Sequence, residues 1–144
     1  MGPSGPITVI SKLLTVITVS TTASEFLALH LGVGDVIMLR YVLRDIGLPQ
    51  RQPTAMFEDN QGVIAIVDGQ TAIKPATKYL DLRDKSVKEH VDNGHITIIY
   101  CKTARMLADI LTKNLNYIIF QRLTVVITGY ASPDTLQTLV AIYK

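Results

Sequence analysis

The stretch from Phe26 to Ile46 constrains the fold of this chain most. Phe26, Leu29, Val33, Val36, Leu39, Leu43 and Ile46 recur at steps of three and four, the spacing that lines up apolar side chains along one stripe of a helix. Thr22 and Glu25 precede the run in the Ser/Thr-x-x-Glu spacing of a capping box. Gly47 and Pro49 close it in the usual order, glycine just past the last turn and proline beyond. A long helix with one apolar stripe needs a sheet or other helices against it. The chain offers β-branched runs for that purpose. Ile7–Ile10, Leu13–Val19 and His95–Tyr100 read as strand, and Thr54–Phe57 is a shorter apolar run. Gly62–Val67 reads as a short buried helix stopped by Asp68-Gly69, and Gln70–Pro75 as loop. Thr77–Val91 reads as a helix with Leu80, Val87 and Val91 inward and Lys78, Arg83, Lys85 and Lys88 outward, closed by Asp92-Asn93-Gly94. Met106–Leu111 and Tyr117–Ile127 read as further helices. Ser132-Pro133-Asp134 starts a last one, a C-terminal extension over 129–144, with Ser at the N-cap and Pro in the first turn. Strands separated by helices predict an α/β protein with a partly parallel sheet. In such sheets, chemistry collects at strand ends.

Composition excludes several classes. With 48% hydrophobic and 18% charged residues over 144 positions, the chain is too apolar to be disordered and long enough for one domain with one core. The longest charge-free stretch, Leu13–Ser24, is short and rich in threonine, so no membrane span is expected against the ~20 apolar residues a bilayer requires. No basic segment precedes an apolar core at the N-terminus, so no secretory signal is read. The single cysteine, Cys101, leaves no internal disulfide and fits an intracellular protein, cytoplasmic or nuclear; it reads as a small buried hydrophobe. His30, His90 and His95 read as scattered surface or core positions without ligand spacing. Net charge is +2, unevenly divided: residues 1–72 carry four Lys/Arg against six Asp/Glu, and residues 73–144 carry ten against six. The second half thus suits an anionic partner. Lys74, Lys78, Arg83, Lys85 and Lys88 form a basic stripe, tempered by Asp81 and Asp84. Such a stripe can track phosphates or serve only as a solvated helix face.

Three acids stand where strand meets helix or beside the last strand: Glu25, Asp59 and Asp109. Each has a plainer role available. Glu25 can be a capping-box acid, Asp59 an N-cap, and Asp109 a polar position on an amphipathic helix. Their flanks carry more. Ser20-Thr21-Thr22-Ala23-Ser24-Glu25-Phe26-Leu27-Ala28-Leu29 resembles the acidic first turn of the long helix in ribonuclease H domains of copia-type LTR retrotransposons. Glu58-Asp59-Asn60-Gln61 is similar to that family's strand-end Asp-Asn-Gln. Thr77-Lys78-Tyr79-Leu80-Asp81-Leu82-Arg83 resembles its Thr-Lys-His-Ile-Asp stretch, with Tyr79 in place of the His. Leu107-Ala108-Asp109-Ile110-Leu111-Thr112-Lys113 is similar to its closing motif almost letter for letter. Gly5-Pro6-Ile7 and Phe120-Gln121-Arg122-Leu123 extend the likeness at both ends, in collinear order.

The resemblance implies a ribonuclease-H-like mixed sheet flanked by helices. It also implies carboxylates that hold two Mg²⁺ (or Mn²⁺) ions while the RNA strand of an RNA–DNA hybrid is cut. Glu25, Asp59 and Asp109 match three of the family's four catalytic and metal-binding acids. The fourth sits on an opening strand in the family, and no Asp or Glu precedes Glu25 here. The expectation is therefore a domain lacking the two opening strands and the bridging acid, with impaired cleavage. Asp84-Lys85 also replaces the family's Tyr-His pair. Glu58 neighbours Asp59 on a strand, so its side chain is expected on the opposite face. Bare sheet edges left by the missing strands predict a homo-oligomer. A module repurposed for protein contacts is the alternative to one that still engages nucleic acid.

Overall fold

The computed structural model describes residues 6, 9–11, 20–71 and 78–129, without the side chains of 78–82 and 84. The expected strand Leu13–Val19, most of Ile7–Ile10, the end of the Gln70–Pro75 loop, Lys74 and the C-terminal helix from Ser132 lie outside the described residues. Two compact units are present, Leu14–Cys101 and a second that joins Met1–Leu13 to Lys102–Lys144.

The first unit is α/β. Helix α1 (Thr21–Asp45) leads to strand β1 (Thr54–Glu58), helix α2 (Gln61–Val67), helix α3 (Lys78–Asp92) and strand β2 (Ile96–Tyr100). β1 and β2 pair in parallel, from Thr54 opposite Ile96 to Glu58 opposite Tyr100. Parallel neighbours need a crossover, and α2 and α3 supply it. The ladder extends one bond at each end, Thr54 N–H to His95 O (3.0 Å) and Cys101 N–H to Glu58 O (2.8 Å).

The N-cap of α1 is Ser20 rather than Thr22. Ser20 is extended (φ −153, ψ 153) and its Oγ accepts from Ala23 N–H at 3.1 Å. The capping-box expectation is thereby corrected: Glu25 is the fifth helical residue, beyond the first turn, and cannot return to the cap. Gly47, at φ +82, ends the helix as expected. Phe26, Leu29 and Val33 are buried and Val36 packs against them. The lower half departs from the expected stripe. Ile37 joins the core while Ile46 is 64% exposed. Arg40 fixes the approach to β1, donating to Gln50 O, Gln52 O and Thr54 Oγ1 at 2.8–2.9 Å. Across the core, Val63 and Val67 of α2, Val87 of α3 and Ile96 of β2 close over Phe26 and Val33.

By length and composition alone, α1 is long and apolar enough to cross a membrane, a test that the core helix of a soluble protein also passes.

In the second unit the expected Met106–Leu111 helix is a 3-10 turn, Leu107–Leu111, preceded by another at Thr103–Arg105. Helix α4 (Tyr117–Ile127) follows, capped by Asn116, whose Oδ1 accepts from Ile119 N–H at 2.9 Å. Leu123 is its buried residue, and Ser11 Oγ donates to Leu111 O at 3.3 Å.

Candidate functional site

Three acids of the first unit, Glu25, Glu58 and Asp59, lie within electrostatic reach of one another at the end of β1. Glu58, the last strand residue, is buried to 7% exposure. Its carboxylate accepts the Asn60 N–H at 2.9 Å. Burial pushes its pKa up, the Asn60 N–H pulls it back, and the negative charges of Glu25 and Asp59 raise it further. Glu58 therefore belongs to the same electrostatic cluster as Glu25 and Asp59. β1 ends at Glu58, and Asp59 lies just past it. Asp59 is half-buried there and Glu25 is exposed on α1. The N-cap of α2 is Asn60, not Asp59: its Oδ1 accepts from Gly62 N–H (2.9 Å) and Val63 N–H (3.3 Å). Asp59 is thus free of the capping role that a plainer reading would give it.

Gly62 brings the two acid-bearing segments together. A Cβ at this position would lie 3.0 Å from Asn60 Oδ1, 3.1 Å from Thr22 Cγ2 and 3.2 Å from Thr22 Oγ1. A side chain here would press on both neighbours, so glycine eases the approach of the start of α2 to the start of α1, three residues from Glu25.

Asp109 belongs to the second unit, in the 3-10 turn Leu107–Leu111. It is 8% exposed, and its two carboxylate oxygens lie 2.8 and 2.9 Å from Lys113 Nζ. The closing motif thus carries its own counter-ion at i+4, a pairing that the spacing of Asp109 and Lys113 already offered. Among the described residues, no group of three or more His, Cys, Asp or Glu is placed to hold a metal ion.

The basic stripe is uneven. Lys85 is exposed, Lys88 is half-buried, and Arg83, expected outward, is half-buried near His30. The histidines are not scattered. His90 and His95 touch, with Nδ1 atoms 3.2 Å apart. His30 Nδ1 is buried without a hydrogen-bond partner. Burial lowers the His30 pKa, and the Arg83 and His90 charges lower it further. Cys101 is half-buried rather than fully so.

No protein-family model matches the chain, and no solved structure is similar to it. Among curated proteins, the chain is 29% identical over 103 residues to the retrovirus-related Pol polyprotein from transposon TNT 1-94 of Nicotiana tabacum. The similarity supports a retrotransposon-derived origin. It covers 72% of this chain and 8% of that polyprotein, so the activities of the whole polyprotein do not transfer by length alone.

Proposed function

We propose that the chain is a retroelement-derived ribonuclease-H-like domain with impaired cleavage that still engages nucleic acid. One observation carries the reading: four motifs stand in collinear order from Ser20 to Lys113 in a chain similar to a Pol polyprotein over 72% of its length. The parallel β1–β2 pair supports it, with Asp59 just past a strand end, where open α/β sheets collect their chemistry.

Impaired cleavage follows from the acids. Hydrolysis of a phosphodiester needs stabilisation of both the attacking and the leaving oxygen, commonly by two divalent ions ~3.5–4 Å apart. In this chain Asp109 is ion-paired with Lys113, and Glu58 is held by the Asn60 N–H in a site that disfavours its charge. Binding to RNA–DNA hybrid or duplex is assigned to Lys85 and its neighbours Arg83 and Lys88, together with Lys74 and Lys78. Each phosphate neutralised contributes about −0.9 to the slope of log K against log salt.

The test is incubation of a labelled RNA–DNA hybrid with the full chain in Mg²⁺ or Mn²⁺, alongside binding at a series of salt concentrations. Cleavage is expected to be slow or absent, and binding to weaken with salt and further in Lys85→Glu/Lys88→Glu. Robust cleavage that disappears in Asp59→Asn would make the domain a working nuclease instead.

A second reading, a module for protein contacts that forms a homo-oligomer, is favoured by one observation. Phe57 and Ile99 are register partners and are 60% and 41% exposed, an apolar pair on a small sheet. Sedimentation at micromolar concentration separates the readings, since a salt-insensitive oligomer without hybrid binding supports only this one.

A further inference from the structure

Four described helices end at a glycine in the left-handed region, and α1, α2 and α3 close with the same pair of backbone bonds. At α1, Leu48 N–H donates to Leu43 O (2.8 Å) and Gly47 N–H to Arg44 O (3.0 Å). At α2, Gln70 N–H donates to Ala65 O (2.9 Å) and Gly69 N–H to Ile66 O (3.0 Å). At α3, His95 N–H donates to His90 O and Gly94 N–H to Val91 O, both at 2.9 Å. This is the Schellman closure, which draws the residue just past the glycine toward the residue five earlier, usually as an apolar contact. At α1 that pair is Leu43 and Leu48. At α3 it is His90 and His95.

The closure gives the two imidazoles a defined geometry. Their Nδ1 atoms are 3.2 Å apart, with ring centroids at 5.4 Å and planes at 49°. As a hydrogen bond, this contact needs one ring to donate and the other to accept. The same distance is close to the span between two ligands on one tetrahedral ion: metal–nitrogen bonds of about 2.0–2.1 Å put the nitrogens about 3.3–3.4 Å apart. Imidazole suits zinc, copper and nickel.

We propose that His90 and His95 form a two-imidazole chelate for a divalent transition-metal ion of the zinc class, pre-set by the glycine closure of α3 and completed by water. Because no third His, Cys, Asp or Glu joins them among the described residues, the protein supplies two ligands. The backbone supplies the preorganisation. His90 O and His95 N–H are already bonded, so much of the ordering that two free histidines would undergo on chelation is complete before the ion arrives. Chelation uses both Nδ1 lone pairs. The ring that donates in the metal-free pair moves its Nδ1 proton to Nε2 through water, and neutral rings release no net proton. The site is independent of the acids around β1, and Mg²⁺, which seeks oxygen ligands, is not expected to occupy it.

The experiment is calorimetric titration of the full chain with ZnCl₂ at neutral pH, paired with imidazole nitrogen NMR on the unmutated protein. One Zn²⁺ per chain is expected, with both Nδ1 resonances shifting and both Nε2 atoms protonated. His90→Gln and His95→Gln are each expected to weaken binding at least about tenfold, which corresponds to 1.4 kcal/mol. Gly94→Ala tests the preorganisation while keeping both rings. Gly94 sits at φ +67 with open space around a Cβ, so the substitution strains the closure without a clash, and weaker binding is expected. No binding at about 1 mM Zn²⁺, far above specific affinities, or ligation through Nε2 would overturn the proposal. So would a folded single-histidine variant or Gly94→Ala that binds as tightly as the natural chain. The NMR readout decides the ligand assignment even where a variant fails to fold.

Discussion

Gly62→Ala sets two opposed effects against each other at the junction of the acid-bearing segments. Alanine is favoured over glycine in a helix by about 0.8–1.0 kcal/mol, which alone would stabilise the protein. The new Cβ, however, meets Asn60 Oδ1 at 3.0 Å and both branches of Thr22 at 3.1 and 3.2 Å. Asn60 Oδ1 cannot withdraw without weakening the bonds it accepts from Gly62 and Val63 N–H, and losing such a cap costs about 1 kcal/mol. Rotating Thr22 exchanges one branch for the other, and an off-rotamer side chain costs about 0.5–1.5 kcal/mol. Relief therefore costs about 1.5–2.5 kcal/mol against a gain near 1, and a net loss of about 0.5–1.5 kcal/mol is expected. Urea unfolding of the single variant, Thr22→Ala and the double variant measures it. The double variant should recover part of the loss, as a positive coupling between contacting sites. A Gly62→Ala protein stabilised by about 1 kcal/mol, the full propensity gain, would refute the close approach of α1 and α2.

Other outcomes follow from the charged groups. Because the Glu58 pKa is raised by burial and by Glu25 and Asp59, its stabilising effect is present below the unfolded value of 4.5 and is lost as pH rises through the folded value. Glu58→Gln, which keeps an acceptor for Asn60 N–H, should raise the Tm at neutral pH by about 1–3 °C and flatten this dependence. His30 acts in the other direction: its lowered pKa gives stability that is complete above 6.5 and lost as pH falls below it through the folded value. Thermal melts of His30→Gln between about pH 7.5 and 5.5, the range in which His titrates, should lose less stability than the natural chain. Lys113→Ala leaves the Asp109 carboxylate, at 11% side-chain exposure, without its ion pair. Because Lys113 itself is 48% exposed, the expected cost by chemical denaturation is about 1–2 kcal/mol, below that of a fully buried pair.

How much of this was legible in the sequence depended on whether local rules decided the outcome. Gly47, Gly69 and Gly94 each stop a helix where their position said they would, because only glycine enters the left-handed region without strain. The parallel pairing of β1 and β2 was legible from the helices between them. The start of α1 was not, since Ser20 and Thr22 are both residue types that cap helices, and Ser20 takes the role. Ile37 joins the core in the lower half of α1, since periodicity reports which residues can face a core, not how far the core reaches. Around the acids, Asp59 and Glu25 were recognisable from their flanks, but the burial of Glu58 depended on β1 ending there. The His90–His95 contact was readable in principle, because the Asn93-Gly94 stop fixes which residues meet across the closure. Reading the histidines one at a time concealed it.

The pairing of Thr54 with Ile96 has a consequence for the order in which the chain can fold. At about 5–20 residues per second, β1 leaves the ribosome roughly 2–8 s before the strand it pairs with. α1 can form within microseconds, yet Ile96 is the last residue of its core cluster to be synthesised. Val63 and Val67 arrive first, then Val87, so the apolar face of α1 is covered in that sequence and the edge of β1 is satisfied at the end. Throughout that interval Phe57 and the unpaired backbone of β1 are open to pairing with another chain, and the crossover through α2 and α3 sets how long the interval lasts.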